Sequence, residues 1–78
     1  MVIYKYPITH MLTIDIPAAA KIVHVGLQSG NPCLWAMLDP EDQPVKRHFK
    51  VFGTGEMVQG KYLATWQDGW LIWHLFEV

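Results

Sequence analysis

Seventy-eight residues suffice for one domain with a thin core, and a net charge of −1 with a pI near 6.4 denies the chain the basic field of a general nucleic-acid binder. No apolar run approaches the roughly 18 residues of a membrane span, and a single cysteine, Cys33, excludes an internal disulfide. Charged residues make up 17% of the chain, low for a soluble domain, while four Trp, three Tyr and three Phe need cover, so association into a homo-oligomer is expected.

Val2 to Tyr6 reads as a short edge strand closed by Pro7, which has no N–H to give a ladder. Leu12, Ile14 and Ile16 alternate with Thr13 and Asp15, predicting a strand over Thr9 to Ile16 that Pro17 stops. No 3.6-residue period follows Ala18-Ala19-Ala20, which reads as a connector. Lys21 to Gln28 is β-branched and alternating, and Ser29-Gly30-Asn31-Pro32 punctuates a tight reversal into Cys33 to Leu38. Beyond the proline-bounded loop Asp39 to Pro44, Val45 to Phe52 alternates again, with Lys46, His48 and Lys50 on a wet, basic face.

Gly53-Thr54-Gly55 breaks that strand. Lys61 to Gln67 then aligns Tyr62, Ala64 and Trp66, and Asp68-Gly69 turns the chain into a closing strand, Trp70 to Phe76. This last run is apolar on both faces, with Trp70, Ile72, His74 and Phe76 on one and Leu71, Trp73 and Leu75 on the other. It needs cover on both sides, which in so short a chain is expected from another subunit. The predicted fold is therefore all-β: a single domain over residues 1–78, a small antiparallel sandwich or barrel of six to seven short strands.

Few residues invite chemistry. His10, His24, His48 and His74 share no metal-ligand spacing with one another or with Cys33, so neither a metal nor another cofactor is expected. No nucleophile, base and orienting group can be picked out together, which argues against an enzyme. Cys33 reads as a small buried hydrophobe.

Backbone N–H groups at Gly53, Thr54 and Gly55 can cradle an anion, although the same glycines also serve a plain bend. Arg47 and Lys50 stand on the strand just before them and offer a phosphate a fork and a point charge, although cations also guard an edge strand. Trp35 is the candidate stacking face for a base. Trp66, Trp70, Trp73 and Phe76 surround the final hairpin and are the candidate oligomer interface.

Four segments in order, Ile3-Tyr-Lys-Tyr-Pro7, Pro32-Cys-Leu-Trp-Ala36, Phe52-Gly-Thr-Gly55 and His74-Leu-Phe-Glu77, resemble a family of small bacteriophage proteins with no assigned activity. The resemblance spans nearly the whole chain and implies a phage or prophage origin and a host bacterial cytoplasm. The start of the chain, which lacks the charged opening and long apolar run of a signal peptide, and the unpaired Cys33 fit that compartment. Such context implies a non-enzymatic counter-defence protein, a homo-oligomer that sequesters a phosphorylated, nucleotide-like immune signal. The alternatives are a protein-binding inhibitor of a host defence complex and a minor virion or assembly protein. Neither membrane nor general nucleic-acid binding is expected.

Overall fold

Alternation and turn chemistry fix seven strands in the computed structural model, which describes residues 1–78: β1 (Val2–Pro7), β2 (Met11–Pro17), β3 (Lys21–Gln28), β4 (Asn31–Leu38), β5 (Pro44–Gly53), β6 (Lys61–Asp68) and β7 (Leu71–Glu77). They form two antiparallel sheets, one ordered β1-β4-β3 and the other β2-β5-β7-β6. The all-β sandwich expected from sequence is the fold observed.

Why each strand faces as it does follows from period-2 alternation. In β4, Leu34, Ala36 and Leu38 point inward, leaving Trp35 and Met37 on the outer face. Ile14 and Ile16 from β2, Phe49 and Val51 from β5, Trp66 from β6 and Leu75 from β7 answer them from the second sheet. Phe49, Ile16, Leu34 and Leu75 are the largest fully buried side chains, each worth about 1.5–3 kcal/mol of burial.

Both hairpins obey turn rules. Ser29 (φ 51°) and Gly30 (φ 80°) lie between the paired Gln28 and Asn31, as a two-residue type I′ loop requires. In the last hairpin Asp68 pairs with Leu71, so the turn residues are Gly69 (φ 60°) and Trp70 rather than the expected Asp68 and Gly69. Trp70 therefore leaves the strand and stands fully exposed at the hairpin tip.

The connection between β5 and β6 is the least ordinary. These strands are parallel, with β7 between them, so residues 54–60 must pass over β7. Thr54 fastens the near end of this crossover through its hydroxyl to the Ile72 carbonyl (3.4 Å) and His74 Nε2 (2.9 Å). At the far end Gly60 (φ 92°) lies so close to β7 that a Cβ would sit 2.3 Å from the Glu77 carbonyl oxygen. Phe76, on the outer side of β7, packs edge-to-face on Phe52 and Tyr62. The closing strand thus finds cover from its own chain at Leu75 on one face and Phe76 on the other, while Leu71, at the hairpin end, stays exposed.

Candidate functional site

The residues singled out for phosphate and base do not converge. Arg47 and Lys50 are three apart on one strand, so alternation sends them to opposite faces, Arg47 with Phe49 toward the core and Lys50 outward with Phe52. Trp35 lies on the outer face of the other sheet, its ring tilted 45° against His24 at 5.2 Å.

Arg47 is also fully employed. Its Nε and one terminal nitrogen donate to the two oxygens of Glu77 at 2.7 and 2.8 Å, and the other terminal nitrogen donates to the carbonyls of Pro17 and Ala20 at 3.1 and 2.8 Å. The hydrogen bond from Arg47 holds the Glu77 carboxyl below its usual range against the opposing effect of burial, aided by the charges of Arg47 and Lys61. Arg47 is therefore a structural tie between β2, β5 and β7 rather than an open phosphate ligand.

The glycine segment is similarly engaged. The Gly53 N–H donates to Glu56 Oε1 at 2.6 Å, and the Glu56 N–H returns a bond to the Gly53 carbonyl at 3.2 Å. A carboxylate from the chain itself fills the place expected for an external anion. Thr54 enters a polar chain whose consistent order runs from Tyr62 through Thr65 to His74 Nδ1, and from His74 Nε2 through Thr54 to the Ile72 carbonyl. Gly55 (φ 96°) supplies a conformation for the crossover.

The proposed interface residues also separate. Trp66 and Phe76 are buried, at 7% and 8% exposure, against neighbours in their own subunit and have little surface to give a partner. Trp73, half-buried, pairs directly across from Trp66, while Trp70 alone is wholly free.

A different site emerges at the end of the sandwich where the final hairpin meets the β1–β2 connection. Trp66 and Trp73, with Ile8 and Val51, wall a cavity of about 210 Å³. Thr9, His10 and Asp68 supply its polar rim. The indole Nε1 of Trp66 is the one buried side-chain polar atom without a hydrogen-bond partner. The grouping of Trp66 and Trp73 at the final hairpin was legible, but their direct pairing follows from the shift of the turn to Gly69-Trp70, and Ile8, Thr9 and His10 come from a connection whose sequence carries no such signal.

A family model, the domain of unknown function DUF7352, matches residues 1–78. The chain belongs to the DUF7352 family. No curated protein and no solved structure matches it. In this DUF7352 chain the cavity between Trp66 and Trp73 is the feature with the clearest binding chemistry. No helix is long and apolar enough to cross a membrane.

Proposed function

We propose that this chain is a non-enzymatic binding protein whose cavity between Trp66 and Trp73 receives a planar, nucleobase-like group, and that in a phage-infected bacterium it withholds such a ligand from host defence. The observation that carries this reading is the pair of indoles, Trp66 and Trp73, in the wall of one cavity. The unpaired Nε1 of Trp66 costs about 1–3 kcal/mol where it is buried, and a shift of the indole toward the cavity would let a ligand acceptor recover it. The indole faces add stacking, worth about 1–3 kcal/mol per base in known complexes. Asp68 offers its carboxylate to an exocyclic amine.

The cavity rim carries that carboxylate and neither Lys nor Arg, which favours the base half of the nucleotide-like ligand expected from sequence. At about 210 Å³ it suits one ring system rather than a whole dinucleotide. Titration with purine nucleosides, cyclic dinucleotides and ADP-ribose-type molecules tests the reading, followed by calorimetry and by the Trp66 indole proton in NMR spectra. A saturable shift of that proton, lost in Trp73→Ala, is expected; no shift with any of these ligands overturns the proposal.

A second reading has its own observation, the wholly exposed Trp70. An exposed aromatic side chain at a turn tip is the kind of anchor that dominates protein interfaces. Under this reading the chain blocks a host defence protein, and the Trp70→Ala variant fails to retain from host lysate a protein that the unaltered chain captures.

A further inference from the structure

Strands β3 and β6 are edge strands of different sheets, yet they run close beside each other without sharing a ladder. Each is irregular at the same place along this seam. Pairing slips between Ile22 and His24 in β3 and between Tyr62 and Ala64 in β6, leaving Val23 and Leu63 as bulged residues. Bulges leave backbone groups outside the ladder and keep neighbouring edges from zipping together.

Val23 and Leu63 line a cleft of about 500 Å³ whose charged residues are Lys21, Arg47, Lys61 and Glu77. Arg47 and Glu77 neutralise each other in their bidentate pair. Lys21 and Lys61 take part in neither of the chain's two salt bridges and in none of its side-chain hydrogen bonds. Three cations against one carboxylate leave the cleft with a local excess of two positive charges.

We propose that this cleft is a binding site for a phosphate-bearing small molecule, held by the ammonium groups of Lys21 and Lys61 and by backbone N–H groups of the bulged strands. The charge excess matches a phosphate monoester, which carries about −1.5 to −2 at neutral pH, better than a single carboxylate. Lysine acts on phosphate as a point charge and needs no fixed fork, so the occupied guanidinium of Arg47 is no obstacle. Glu77 keeps Arg47 in place behind the site. The site is independent of the Trp66 cavity, since Lys61 begins β6 and Trp66 and Asp68 lie toward its other end.

The test is a titration of the full ¹⁵N-labelled chain with inorganic pyrophosphate at constant ionic strength, with citrate and AMP in parallel. Saturable shifts confined to the amides of Lys21, Val23, Lys61 and Leu63 are expected with pyrophosphate, and the same amides are expected to move with AMP, whatever its base does at the Trp66 indole. The Lys21→Gln, Lys61→Gln double variant is expected to bind at least about tenfold more weakly, whereas Lys46→Gln, on the other face of β5, leaves binding unchanged. Both lysines are exposed, and the amide spectrum of the double variant reports that it is folded. Shifts that do not saturate, that citrate reproduces equally, or that survive the double substitution overturn the site. Because the readout lies on β3 and the start of β6, failure here leaves the Trp66 indole result untouched, and the reverse holds.

Discussion

Two ion pairs show how position decides what a charge contributes. Arg47 and Glu77 retain only 14% and 24% of their side-chain exposure, with two parallel hydrogen bonds between them. Lys46 and Asp15, 3.1 Å apart, keep 72% and 65% and are largely solvated. Arg47→Ala strands the Glu77 carboxylate and frees the carbonyls of Pro17 and Ala20, so it is expected to cost about 2–4 kcal/mol in urea denaturation. Lys46→Ala is expected to change stability by less than about 0.5 kcal/mol.

The same pair sets a pH dependence. Because Arg47 lowers the Glu77 carboxyl in the folded protein, the unfolded chain takes up that proton first as pH falls. Stability from this pair is full above the ordinary glutamate value, about 4.3, and drains away as pH drops through the lower folded value. Urea midpoints at about pH 6 and about pH 3 should therefore differ more in the unaltered chain than in Arg47→Ala, which keeps every other carboxylate.

Among the elements, the crossover from β5 to β6 is the part most sensitive to backbone change. Gly55 and Gly60 both have positive φ, at 96° and 92°, but open space surrounds Gly55 while the Glu77 carbonyl confronts Gly60. Gly55→Ala should cost about 1–2 kcal/mol from conformation alone. Gly60→Ala adds a collision with β7 and should exceed it by at least about 1 kcal/mol, as thermal denaturation of the two variants would record.

That crossover also marks where the sequence ceased to be readable. Strand β3 runs from Lys21 to Gln28 just as alternation and the Ser29-Gly30 turn predict, because both signals are local. The two faces of β7 were likewise legible, since period 2 assigns faces without reference to a partner. What alternation does not assign is the neighbour. The placement of β7 between β5 and β6, and the cover this gives Phe76, depend on contacts between distant segments. Glu77 and Arg47 are 30 residues apart, so the partner that occupies Arg47 was invisible from the local pattern. The opposite facing of Arg47 and Lys50, by contrast, was already present in the alternation that defined their strand.

At the scale of the whole molecule, a thickness of 15 Å leaves room for one layer of side chains between the sheets. Many apolar residues stay outside it: Ile3, Met11, Val23, Val45, Met57 and Trp70 are all exposed. We expect association, now through those residues rather than through the buried Trp66 and Phe76. Sedimentation velocity at micromolar concentration should give a mass above the 9.0 kDa subunit, and Ile3→Asp or Trp70→Asp should shift it toward one copy. A single mass of one subunit across the concentration range would remove oligomerisation from the account.

The interior position of β7 has a bearing on biosynthesis. β5 and β6 leave the ribosome first, yet neither pairs with the other, and the strand that joins them is translated after both. Until Leu71–Glu77 has emerged, β6 has no ladder partner and the carboxylate awaited by Arg47 does not exist. The nascent chain therefore carries half a sandwich with an open seam, and truncation before Leu71 would free β6 rather than merely shorten the fold.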